Sequence, residues 1–139
     1  MTTPIKDVSP AEAWQALSTD PTAKLVDVRT APEWNFVGAP DLSGIGKQAI
    51  QLQWQVYPTM QVDPEFLDKL RAKGAEPGDK LYFLCRSGVC SVAAAKMATE
   101  FGFRDAINIV DGFEGPADAA GHRGTIGGWK HAGLPWRQG

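Results

Sequence analysis

Cysteine and histidine are scarce in this chain, with two of each among 139 residues: Cys85, Cys90, His122 and His131. The cysteines do not have Cys-x-x-Cys spacing and the histidines lie far downstream, so no metal or other cofactor is expected. Charge of one sign is not in excess either. Fourteen Lys and Arg stand against 16 Asp and Glu, with no basic block, so nucleic acid is not expected as a partner. No apolar run approaches the ~18 residues needed to span a bilayer. The opening Met-Thr-Thr-Pro-Ile-Lys-Asp has no signal-peptide apolar core. A cytoplasmic protein without a membrane partner is expected.

The composition is that of an ordinary globular domain, 43% hydrophobic and 22% charged. One domain over 1–139 is expected, long enough to bury a core. There is no internal repeat. Ser9-Pro10-Ala11-Glu12 reads as a capping box opening a helix to about Leu17, with Ala13, Trp14 and Leu17 on one face. Residues 24–28 read as a buried strand, and Thr30-Ala-Pro-Glu33 as a second capping box for a helix through Trp34 to Val37. Residues 49–54 alternate apolar and polar, as a half-exposed strand does. Asp63 reads as N-cap of a helix over 64–73 with Phe66, Leu67 and Leu70 inward and Gly74 at its end. Strands are expected at 80–84 and 106–110, with a helix over 92–101 between them. Alternating strands and helices imply a mainly parallel sheet covered on both faces, with ligands at the carboxyl ends of the strands.

The chemistry concentrates at Leu81-Tyr-Phe-Leu-Cys85-Arg-Ser-Gly-Val-Cys90-Ser91. An apolar strand ends in Cys85, a short loop follows, and a helix is expected to start near Ser91. Loop amides and the helix dipole point positive at such a place. That favours the thiolate, the nucleophilic form of cysteine. Cys85 is therefore the candidate nucleophile and Arg86 the candidate contact to an anionic substrate, its planar guanidinium suiting an oxyanion. Ser87 either bonds the same oxyanion or makes a turn. Gly88 permits the tight loop. The amides of residues 86–90, those of Val89 and Cys90 included, form the expected anion nest.

These residues resemble a known family. Leu25-Val-Asp27-Val-Arg29 followed by Pro32-Glu33-Trp34 is similar to the first signature of the rhodanese (sulfurtransferase) domain. Cys85 to Ser91 resembles its active-site loop. Phe101-Gly-Phe with Ile109-Val-Asp-Gly-Phe113, and Gly128-Trp-Lys with Ala132-Gly-Leu-Pro135, resemble its closing segment. The likeness spans about residues 8–136. It implies an α/β fold with a central five-stranded parallel sheet. It also implies a cycle in which a donor such as thiosulfate gives a sulfur to Cys85 as a persulfide, and a thiol or cyanide removes it. Asp27 and Arg29 are expected to support the first strand near the loop, together with Ser91 at the helix start. Trp34 and Trp129 are expected in the core. The expected partners are a small sulfur donor and a thiol acceptor, either a small molecule or a protein thiol, and the chain is expected to be a monomer.

Two departures stand out. Many single-domain members carry Gly-His-Ile-x-Gly-Ala after their first helix, where this chain has Gly38-Ala39-Pro40-Asp41-Leu42 without the histidine. Cys90 stands where many members have arginine or threonine. A thiol there suggests either a resolving cysteine for an oxidised Cys85 or a buried small residue. Related phosphatase and arsenate-reductase members need a longer loop followed by arginine, and Ser91 argues against that chemistry. Residues 112–128, carrying Glu114, Asp118, His122 and Arg123, are expected to fold over the pocket as an extended loop. Arg123 and Lys47 are further candidate anion contacts. A protein-fed persulfide carrier, a Cys85/Cys90 redox sensor and a catalytically silent interaction module remain alternatives to thiosulfate turnover.

Overall fold

In this computed structural model the described residues are 5–56, 61–62, 65–86, 89–103, 105–115, 119–121 and 127–137. The chain runs β1 (Lys6–Val8), α1 (Pro10–Thr19), β2 (Ala23–Asp27), α2 (Ala31–Phe36), β3 (Ala39–Pro40), a 3-10 turn (Ser43–Ile45) and β4 (Ile50–Gln51). It continues through β5 (Gln55–Val56), β6 (Gln61–Val62), α3 (Phe66–Ala72), β7 (Lys80–Leu84), α4 (Val89–Glu100), β8 (Asp105–Ile109) and β9 (Trp136–Arg137). The central sheet has five strands in the order β1-β8-β7-β2-β4, with every neighbouring pair parallel.

A parallel sheet covered on both faces needs apolar residues at successive positions, and β7 shows this directly. Leu81 and Phe83 pack with Phe66 and Leu70 of α3 and Ala94, Ala95 and Ala98 of α4. Tyr82 and Leu84 turn the other way, onto Ala13 and Leu17 of α1 and onto Phe113 and Trp129. Trp129 is fully buried and meets Trp14 edge-on at 5.8 Å.

The first capping box forms: Ser9 Oγ accepts from the Glu12 amide at 3.1 Å, and Glu12 Oε1 from the Ser9 amide at 3.3 Å. At α2, Glu33 Oε1 accepts from both the amide and the hydroxyl of Thr30.

Several expectations are corrected. The half-exposed strand over 49–54 shrinks to Ile50–Gln51, although Leu52 and Trp54 still donate to the carbonyls of Asp27 and Val28 at 3.0 and 3.2 Å. The third helix begins at Phe66 with Glu65 in the cap position, while Asp63 and Pro64 lie outside the described residues. The fourth helix begins at Val89, not near residue 91 or 92, which places Cys90 within its first turn. Strand β1 has only one buried residue, Val8, so no apolar alternation marks it. The antiparallel pairs β3–β9 and β5–β6 are two residues per strand, too short to carry a pattern.

Candidate active site

Cys85 follows directly on β7, at the carboxyl end of the sheet, and is 4% exposed. The neighbouring strand holds this strand end in place. Asp27 is in register with Leu84, and the Val28 amide donates to the Leu84 carbonyl at 2.8 Å. From the other side, the turn after β8 takes hold of the loop itself. The Phe113 amide donates to the Cys85 carbonyl at 2.8 Å, and the Glu114 and Gly115 amides donate to the Arg86 carbonyl at 3.0 and 3.2 Å.

Gly112 makes this approach possible. Its φ is +60°, and a Cβ there would lie 2.2 Å from the Cys85 carbonyl oxygen. The turn is tied down in turn by the C-terminal segment. Trp129 donates to the Gly112 carbonyl at 2.8 Å, and Lys130 to the Phe113 carbonyl at 3.1 Å.

Asp27 and Arg29 are both buried and form a two-pronged ion pair. Arg29 Nε donates to Asp27 Oδ1 at 2.9 Å and Nη2 to Oδ2 at 2.7 Å, with a further bond from Nη2 to the Gly38 carbonyl at 2.8 Å. The guanidinium lies 4.2 Å over the Phe113 ring. Among the described residues its Nη1 has no hydrogen-bond partner, and neither does the buried Nε1 of Trp34, a residue that is otherwise half-buried. Lys130 Nζ donates to the Val37 carbonyl and sits 4.0 Å over the Trp136 ring. Burial pulls its ammonium below the ordinary lysine range, and the Glu114 charge partly offsets this.

On the helix side, Ser91 Oγ stands 3.3 Å from Cys85 Sγ and hydrogen-bonds the Asn108 carboxamide oxygen. Asn108 Nδ2 donates to Asp7 Oδ1 at 3.0 Å. The structure therefore gathers Cys85, Ser91, Asp27 and Arg29 at one end of the sheet, with the Arg86 side chain exposed beside them.

Ser87, Gly88, Asp118, His122 and Arg123 lie outside the described residues, as do the side chains of Val89 and Cys90. Lys47 does not join the site, which corrects the expectation of an anion contact. Its ammonium donates to the carbonyls of Asp20 and Ala23 at 2.6 and 2.8 Å, at the opposite end of β2. Of the expected extended loop over 112–128, the part up to Gly115 packs under the Cys85–Arg86 backbone.

Sequence reasoning alone did not single out Asn108, Asp7 and Gly112. One signal for Asn108 was available: it is the polar residue in an otherwise apolar strand stretch, Ala106-Ile-Asn-Ile109.

With this geometry, the fold is that of a rhodanese-like α/β domain. The STR4 middle domain family matches residues 6–139, and the chain belongs to it. The crystal structure of Rv0390 from M. tuberculosis is 46% identical, covers 99% of this chain and 100% of its own, and superposes with a TM-score of 0.91. An uncharacterised Rickettsia conorii protein is 36% identical over 96% of this chain and 98% of its own length. The Arabidopsis thaliana chloroplastic rhodanese-like domain-containing protein 4 is 33% identical over 92% of this chain, which corresponds to 25% of that protein. Among the described residues no helix is long and apolar enough to cross a membrane.

Proposed function

We propose that this domain is a sulfurtransferase working through a persulfide on Cys85. The observation that carries the reading is the placement of a buried thiol at the carboxyl end of a central parallel strand, four residues before a helix start, with a hydroxyl 3.3 Å from its sulfur. In the first half-reaction the Cys85 thiolate attacks the outer sulfur of a donor such as thiosulfate. The S–S bond to Cys85 forms, the donor's S–S bond breaks, and sulfite leaves with the electron pair. In the second, an acceptor thiolate or cyanide attacks the outer sulfur of the persulfide, and Cys85 leaves as thiolate. Amides of residues 86–90 would hold the negative charge of the donor and of the persulfide, as preorganised donors do at a developing anion. Arg86 is exposed where it could meet a doubly charged donor. The acceptor is a small or protein thiol, and the setting we propose is cytoplasmic.

Intact-protein mass after incubation with thiosulfate tests this, on wild type and Cys85→Ala. The expected result is a gain of one sulfur on wild type alone, removed by cyanide. No gain on wild type would overturn turnover on thiosulfate and favour a carrier fed by a protein donor.

A further inference from the structure

We propose that the free edge of β4 is a docking groove for an extended acidic segment of a partner protein, which adds beside β4 as a further strand. The proposal goes beyond sulfur transfer and does not depend on it. β4 ends the central sheet on its side, and among the described residues no strand pairs with its outer edge.

The register shows which backbone groups are left over. Along a strand, successive residues turn their N–H and C=O alternately towards one neighbour and towards the other. The Leu52 amide donates to the Asp27 carbonyl at 3.0 Å, so Leu52 faces β2. Gln51, just before it, therefore turns its N–H and C=O outward. Such groups on an edge are a template for another strand. Gln51 also shares a row of the sheet with Asp27 and Leu84, so the groove ends two strands away from the residue before Cys85.

The edge is hollowed out as well. Three adjoining cavities of about 300, 210 and 320 Å³ lie along it, all bordered by Gln48. Ala49 and Gln51 border the first, Ile50 the second, and all three residues the third. An added strand needs this room, because its side chains point alternately to the two faces of the sheet.

The walls set the charge of the occupant. The chain as a whole carries −2. Yet Lys24, Lys47, Lys73 and Arg137 border these cavities, and Asp41 is the one carboxylate among the described lining residues. Asp79 already pairs with Lys24 at 2.5 Å, and Asp41 is near enough to Arg137 to feel its charge. Lys47 ends on the carbonyls of Asp20 and Ala23. Lys73, just past α3, is exposed and forms no ion pair among the described residues. These cations favour an acidic strand over a neutral or basic one.

The test is fluorescence anisotropy with a labelled peptide of alternating Glu and Val, about eight residues long, at about 20 mM salt. Saturable binding is expected, several-fold weaker at about 0.5 M salt. The matching Lys/Val peptide and an oligothymidylate of equal charge are expected not to bind. Gln51→Pro removes the outward N–H and leaves the pairing with β2 intact, since proline is tolerated where an edge N–H faces solvent. It is expected to weaken binding about tenfold. Lys73→Glu is expected to weaken it in low salt and to have little effect in high salt.

No binding at about 1 mM peptide would overturn the proposal. So would equal binding of the Lys/Val peptide or the oligothymidylate, or unchanged binding in Gln51→Pro. If Gln51→Pro does not fold, the Glu/Val peptide N-methylated at every residue decides on wild type. It cannot donate to the edge and is expected not to bind, and binding equal to the unmethylated peptide would overturn the proposal. No sulfur donor is present, so neither result bears on persulfide formation at Cys85.

Discussion

The amide of Phe113 donates to the carbonyl of Cys85 at 2.8 Å. The ring of the same Phe113 carries the guanidinium of Arg29 at 4.2 Å on its face. One residue thus joins the buried Asp27–Arg29 pair, at the end of β2, to the backbone of Cys85. The position of Cys85 depends on a turn that begins 25 residues further along the chain, after β8.

Gly112→Ala tests that dependence. The added Cβ would meet the Cys85 carbonyl at 2.2 Å, at a φ of +60° that alanine adopts with strain. Both effects push the turn off the active-site loop. A loss of roughly 2 kcal/mol or more is expected in urea denaturation, together with a slower thiosulfate-dependent mass gain on Cys85.

The Asp27–Arg29 pair gives a second prediction. Asp27→Ala leaves a guanidinium buried, with the Gly38 carbonyl as its remaining hydrogen-bond acceptor among the described residues, and is expected to cost about 3–5 kcal/mol. The double change Asp27→Leu with Arg29→Met removes both charges and is expected to cost much less than Asp27→Ala alone. Denaturant midpoints of the two variants compare them directly.

Phe113→Leu keeps an apolar side chain but removes the ring beneath Arg29 and Lys130. A destabilisation of about 1–2 kcal/mol is expected from the lost ring contacts and the space left behind. Lys130→Met, whose ammonium is already held below its ordinary range by burial, is expected to cost less. Thermal melts in one buffer distinguish the two.

Acid dependence is expected from Asp20. The hydroxyl and amide of Thr22 donate to its carboxylate at 2.7 and 2.9 Å, and Lys80 pairs with it at 3.1 Å. These contacts lower its pKa from 3.8 to about 2. A folded-state value below the unfolded one stabilises the fold above the unfolded value, and that contribution fades as pH falls towards the folded value. The Tm difference between wild type and Asp20→Asn is therefore expected to be full above about pH 4 and to close towards about pH 2. A difference that stays constant over that range would contradict the assignment.

Local chemistry made much of this protein legible. Ser9 and Glu12 announce α1 because a capping box is written in adjacent residues and needs no distant partner. Lys80–Leu84 reads as a buried strand because a central parallel strand is apolar on both faces. Cys85 stands out because strand, loop and helix follow one another within a few residues. The same local signal overran at 49–54, where the strand proper stops at Gln51 and only single hydrogen bonds from Leu52 and Trp54 continue along the chain leaving β2. It placed the start of α4 too late, because Val89 and Cys90 are unremarkable helix formers.

The sequence by itself determined the four helices and four of the five central strands with their parallel arrangement, and it singled out Cys85, since these rest on patterns of period two or 3.6 and on caps and turns a few residues wide. Only the tertiary structure decided what surrounds the sulfur. Asn108 reaches Ser91 from the adjacent strand, Asp7 reaches Asn108 across 101 residues of chain, and Gly112 fits under Cys85 because two strand ends meet there. Such contacts depend on sheet order and register, and no local pattern in a strand names the strand that will lie beside it.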